Sequence, residues 1–206
     1  MRVCSGKFVK DMAVTNSRGN KLIRATRAYR FFGRDRETIA EAFAGDIIGL
    51  VNPGQFAIGD TVHTGPPLKF LDIPRFPPEH FGRLRLQDQR HKQFDDGLRQ
   101  LEEEGLMQVF YVESGRREPI VGVVGALQFD VIKSRLSTEY GVEIVVDPST
   151  FTTVRWVADA IKPLPLLGGA STAAVDRQIR RVRLFANEGE VQYVGKQKPT
   201  CELHAA

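Results

Sequence analysis

Five prolines, Pro66, Pro67, Pro74, Pro77 and Pro78, fall within thirteen consecutive positions of this 206-residue chain. Each fixes φ near −65° and lacks a backbone N–H, so none fits the interior of a helix or a central strand. The stretch reads as a stiff, extended connection over residues 67–82. It separates an N-terminal domain of residues 1–66 from a C-terminal one of residues 83–206. A chain of this length has room for two ordinary domains, each with its own core.

Residues before the connection read as short strands with glycine turns. The candidates are Val3-Cys4-Ser5, Lys21 to Tyr29, Ile47 to Val51 and Thr61-Val62-His63. Two of them are launched by the same dipeptide, Gly45-Asp46 and Gly59-Asp60. Glycine supplies a positive φ and aspartate a local side-chain bond, so both pairs predict turns. Thr38 to Phe43 has room for one helical turn at most. Several short strands without a substantial helix predict an all-β domain closed as a small β-barrel.

Periodicity is clearer after the connection. Arg83-Leu84-Arg85-Leu86 alternates as a strand does, and Phe94, Leu98 and Leu101 form one helical stripe ending near Gly105. Met107 to Val112 and Ile120 to Val124 are β-rich, joined by a turn around Ser114-Gly115. Phe129, Ile132, Leu136 and Tyr140 make a second helical stripe, with Gly141 at the C-cap, before a last strand at Val142 to Val146. The order β-α-β-β-α-β over 83–146 predicts the split βαβ, ferredoxin-like α+β arrangement, with both helices on one face of an antiparallel sheet. In the extension 147–206, Thr153 to Val157 and Val182 to Phe185 read as strands, Pro163 to Gly169 as loop, and Asn187 to Gly195 as a short helix capped by Asn187. These pieces are expected to pack on the second domain.

Charge is uneven. The formal net charge is +4, yet residues 1–36 hold ten Lys and Arg side chains against Asp11 and Asp35 alone, leaving a net −4 over the remaining 170 positions. Clustered positive charge favours a polyanion through phosphate neutralisation and counterion release. Arg18, Lys21, Arg24, Arg27 and Arg30 are the candidate RNA-binding residues. On one strand Arg24 and Arg30 would share a face, with Arg27 opposite. Solvation of a barrel exterior and phosphate contact both fit that spacing. Phe31-Phe32 reads as core packing rather than base stacking.

Residues for chemistry are sparse. No G-x-x-x-x-G-K-[ST] or G-x-G-x-x-G run occurs, so no nucleotide-binding loop of the usual kind is present. Asn20-Lys21 invites a guanine-recognition reading, but position 23 is Ile where such a site needs an acid. His63, His80, His91 and His204 are scattered, and Cys201 with His204 supplies only two of the four ligands that structural zinc requires. Ser5 and Ser134 have no base beside them in sequence. Glu102-Glu103-Glu104 reads as a solvated helix end, with an acidic docking patch as the second option. No catalytic, cofactor or metal site is therefore expected within the chain. No apolar run reaches the ~20 residues that span a bilayer, so no membrane is expected as a partner. Two cysteines give no disulfide framework, which fits a reduced, cytoplasmic compartment.

Specific stretches resemble a known family. Arg2-Val3-Cys4-Ser5-Gly6, Ala44 to Leu50 and Ile58-Gly59-Asp60-Thr61 are similar to the second-domain barrel of translational GTPases. Lys69-Phe70 to Ile73-Pro74, Gln100 to Gly105, Gln108-Val109-Phe110, Val121 to Val131, Arg135-Leu136, Glu139-Tyr140 and Thr153 to Trp156 resemble the release-factor-three family. The resemblance is strong to Trp156 and weak beyond it. It departs at Asp11, where the family usually has Gly. It implies a protein that binds GTP or GDP with Mg, docks on the ribosome and promotes departure of class-one release factors in translation termination. It further implies that the GTPase domain precedes residue 1, and that the two domains read here contact ribosomal RNA and protein. The alternatives are a fragment of an elongation-factor-G-like or ribosomal-protection GTPase, or a free-standing basic RNA-binding adaptor. The run Val121 to Val131 favours the release-factor family over the first of these.

Overall fold

A computed structural model describes residues 1–33, 35–51, 54–71, 73, 76–113, 118–157, 171–197 and 203–204. Contacts gather these into two compact units, Met1–Ile73 and Pro74–Ala206. The chain is mostly β-sheet with three helices among the described residues.

The first unit contains β1 (Lys7–Val9), β2 (Ala13–Asn16), β3 (Lys21–Arg24), β4 (Ala28–Phe32), β5 (Asp35–Thr38), β6 (Glu41–Phe43), β7 (Gly49–Leu50) and β8 (Val62–His63). They pair as β1-β6, β3-β2-β8 and β5-β4-β7, all antiparallel. Val3, Phe8, Ala25, Ala28, Ala42 and Ile48 form its buried core. Both Gly-Asp turns behave as their residue types dictate. Gly45 and Gly59 sit at φ 100° and 90°, and Asp46 and Asp60 accept the N–H of Phe43 and Ala57 at 2.8 Å.

Four expectations for this unit are corrected. Lys21 to Tyr29 is not one strand. Ala25 trades hydrogen bonds with Met12 and Asp11, which ends the β3 ladder, and Ala28 starts a strand of another sheet. Thr38 to Phe43 is extended rather than helical, because burying Ala42 opposite Phe8 needs a period of two. Val3-Cys4-Ser5 is reduced to a single bridge between Arg2 and Ile47. Phe31 and Phe32 remain about half exposed. Phe31 lies across Gly49, where a Cβ would come within 2.5 Å of its ring.

The second unit runs β9 (His80–Leu86), α1 (His91–Glu103), β10 (Gln108–Val112), β11 (Ile120–Val123), α2 (Gln128–Tyr140), β12 (Ile144–Pro148), β13 (Thr153–Val157), β14 (Thr172–Asp176), β15 (Arg181–Phe185), α3 (Glu188–Gln197) and β16 (Leu203–His204). One eight-stranded sheet collects every strand in the order β12-β9-β11-β10-β14-β15-β13-β16. β9 starts three residues earlier than its alternating pattern suggests. Gly82 permits this, since a Cβ there would meet Val146 and Phe129 at 2.8 and 3.0 Å. The turn around Ser114-Gly115 and the loop Pro163 to Gly169 lie outside the described residues.

Two cores form because strand residues alternate between faces. Leu84, Val109, Val121, Val123 and Ile144 meet Phe94, Leu98 and Leu101 of α1 and Ile132 and Leu136 of α2. Phe81, Phe110 and Ile120, of opposite parity, pack with Val154, Ala174, Val182 and Leu184 from the extension. Gly97 lets the helices meet: a Cβ there would sit 2.6 Å from Leu136 Cδ2. Gly141, at φ 64°, ends α2 by donating to Ser137 O, and Val142 donates to Leu136 O. Asn187 Oδ1 accepts Glu190 N–H at 3.0 Å, the cap expected for α3.

Candidate nucleic-acid interface

The five candidate basic residues of the first unit sit in four different backbone settings. Arg18 lies in the turn between β2 and β3, Lys21 and Arg24 on β3, Arg27 in the break after β3, and Arg30 on β4. Lys21, Arg24 and Arg27 are exposed; Arg30 is partly covered and lies 3.7 Å from Asp46. Arg24 and Arg30 belong to different sheets, so the shared strand face expected from their spacing does not exist.

Arg18 is the most constrained of the five. Its Nε lies 2.7 Å from Asp60 Oδ1, and its Nη2 donates to Asp60 Oδ2 at 3.0 Å. Asp60 Oδ2 also accepts Asn16 Nδ2 at 2.7 Å and Ala57 N–H at 2.8 Å. Asn16, buried itself, donates to Gln55 O and accepts Arg18 N–H through its Oδ1. Burial pushes the Asp60 carboxyl upward, but the donors Ala57, Asn16 and Arg18 more than reverse this and hold it below the usual carboxylate range. Sequence reading missed Asn16 and Asp60 as supports of Arg18. The Gly59-Asp60 turn signal marked the loop, but a pairing across 42 residues leaves no local pattern.

The residues present do not fit a guanine nucleotide. Asn20 sits in the turn at φ 49°, and Ile23, at the position where an acid would be needed, is buried in the sheet. Among the described residues no group of three His, Cys, Asp or Glu side chains is placed to hold a metal ion. Cys201 and Glu202, from the two-ligand zinc reading, lie outside the described residues, and His204 pairs with Trp156 in the sheet. Among the described residues no helix is long and apolar enough to cross a membrane.

Each of the three glutamates closing α1 has a basic partner. Glu102 accepts Val109 N–H and lies 3.4 Å from Arg177. Glu103 pairs with Arg99, and Glu104 with Arg135. Arg135 also pairs with Glu139, so one guanidinium ties the end of α1 to α2.

Both units match known families in chain order. Residues 1–65 match a profile described as elongation factor G domain 2, and residues 70–195 one described as class II release factor RF3, C-terminal domain. The chain belongs to the class II release factor RF3 family. Among its relatives, peptide chain release factor 3 of Gloeobacter violaceus is 44% identical over 99% of this chain and 39% of its own length. Peptide chain release factor 3 of Symbiobacterium thermophilum is 44% identical over 97% of this chain and 38% of its own length. The chain thus spans under two fifths of the length of these relatives. A crystal structure from Thermus thermophilus superposes with a TM-score of 0.57 at 19% identity, covering 83% of this chain and 26% of its own, which is a likeness of fold alone.

Proposed function

We propose that this chain is the ribosome-contacting part of a release-factor-three-type GTPase that removes class-one release factors in translation termination. The single observation that carries the reading is the joint match of both units, in order, with relatives named peptide chain release factor 3 aligned over 99% of the chain. The chain as given is not an enzyme. In the whole protein, GTP or GDP with Mg supplies the switching chemistry in a domain outside residues 1–206, in the cytoplasm. The residues here bind and position rather than react.

Residues 1–66 act as the elongation-factor-type barrel, 67–82 as the connection and 83–206 as the α+β domain with its extension. Support for a ferredoxin-like core comes from the element order β9-α1-β10-β11-α2-β12 and the strand order β12-β9-β11-β10. Arg18, Lys21, Arg24, Arg27 and Arg30 serve as the contact to ribosomal RNA, where an exposed cation neutralises phosphate without reading sequence.

Co-sedimentation of the chain with ribosomes at increasing salt tests the reading. Binding should weaken steeply as salt rises. Replacing Arg24, Arg27 and Arg30 together by Ala should weaken it further and flatten the salt dependence, with the circular dichroism unchanged. Binding indifferent to salt would remove the electrostatic contact.

A further inference from the structure

The corner Asn16-Ser17-Arg18 grips three stretches of the first unit that are distant in sequence. Asn16 holds Gln55 O and Asp60, and Ser17 N–H donates to Thr61 O at 2.9 Å. Ser17 Oγ donates to Leu68 O, and Thr61 Oγ1 accepts Phe70 N–H at 3.1 Å. The loop before β8 and the chain leaving the unit at 68–70 are therefore fastened to one turn.

The charge at the centre of this corner is shared unequally. The Asp60 side chain is 6% exposed, whereas that of Arg18 is 59% exposed. Arg18 is the charged group acting on Asp60; its other donors, Asn16 and the Ala57 amide, are neutral. A nearly buried carboxylate depends on such a cation, because its own hydration is lost. A guanidinium with most of its surface in water is at the same time open to an external anion, and phosphate engages it through two parallel hydrogen bonds. Phosphate arriving at Arg18 also brings negative charge towards Asp60.

We propose that Arg18 is a displaceable latch: paired with Asp60 it fastens the loop 55–60 and the segment 68–70, and an RNA phosphate that takes its guanidinium loosens both. The latch rests on the reading of this turn as RNA-contacting and adds a consequence for the protein. Coupling of this kind is reciprocal, so whatever frees Arg18 from Asp60 strengthens the RNA contact.

Amide hydrogen exchange on the whole chain tests it, with short poly(U) RNA as the probe and the amides of Ala57 and Phe70 as reporters. In the free protein, Arg18→Gln should speed exchange at both by about tenfold, the effect of losing one charge-assisted contact. Saturating poly(U) should speed the same amides in the unaltered chain and have no further effect on them in Arg18→Gln. Asp60→Asn should bind poly(U) several-fold more tightly than Asp35→Asn, an equal change of charge at an exposed position on β5. Unchanged exchange in free Arg18→Gln overturns the latch whatever RNA does. Poly(U) binding with both amides unaffected overturns the latch and leaves the RNA reading standing. Failure of the unaltered chain to bind poly(U) overturns that reading and the latch with it.

Discussion

Ile179, at the tip of the β14–β15 hairpin, has φ 63° and is 81% exposed. A β-branched residue in the left-handed region crowds its Cβ against the next carbonyl, at a cost of roughly 1–2 kcal/mol. Ile179→Gly should therefore raise stability by up to about 1 kcal/mol, after the greater freedom of glycine in the unfolded chain is discounted. Thermal unfolding reads the change, and a lower midpoint would show that the side chain has a packing role. Asp11 is the milder case: its φ of 66° lies in the left-handed region, which aspartate tolerates better than a β-branched residue does. Asp60 sets a pH limit. Its carboxyl is depressed in the folded state, so it contributes stability above its unfolded value of about 3.9, which is lost as pH falls through the lower folded one. Asp60→Asn should remove that part of the acid dependence, read as a flatter stability curve below about pH 4.

At the scale of elements, α1 and α2 meet at Gly97. Alanine in a helix interior ordinarily gains about 1 kcal/mol over glycine. Here the added methyl would press on Leu136 Cδ2 and the Tyr140 ring, and overpacking of this kind costs about 1–3 kcal/mol. Gly97→Ala should therefore destabilise the second unit, as shown by its denaturation midpoint. The two helices were legible because Phe94, Leu98 and Leu101, and Ile132 and Leu136, repeat at 3.6-residue spacing and are buried. β14 was not, since Thr172–Asp176 carries one large apolar residue, Val175, and its place is set by pairing with β10 across 64 positions. The break between β3 and β4 escaped for a related reason: the small residues Ala25 and Ala28, both buried, carry little periodic signal.

For the whole molecule, the order of strands and helices in residues 83–146 was legible, whereas the proposed contact surface was legible only as composition. Ten basic residues among the first thirty-six favour a polyanion, but the surroundings of each depend on acids such as Asp46 and Asp60, placed by the fold. Isothermal titration with a GTP analogue should give no saturable heat, because the chain lacks a phosphate-cradling loop and Ile23 faces the core. Saturable heat would overturn the assignment of nucleotide chemistry to another domain.

The eight-stranded sheet also sets an order of events during synthesis. β10 gains one neighbour as soon as Ile120 of β11 arrives opposite Phe110, but its other edge is covered only when Val175 arrives opposite Tyr111. At about 5–20 residues per second, that edge waits roughly 3–13 s on a growing chain. An unpaired strand edge is a template for pairing with another chain. The extension beyond residue 147 thus doubles as a shield, and crowded translation is where its late arrival matters most.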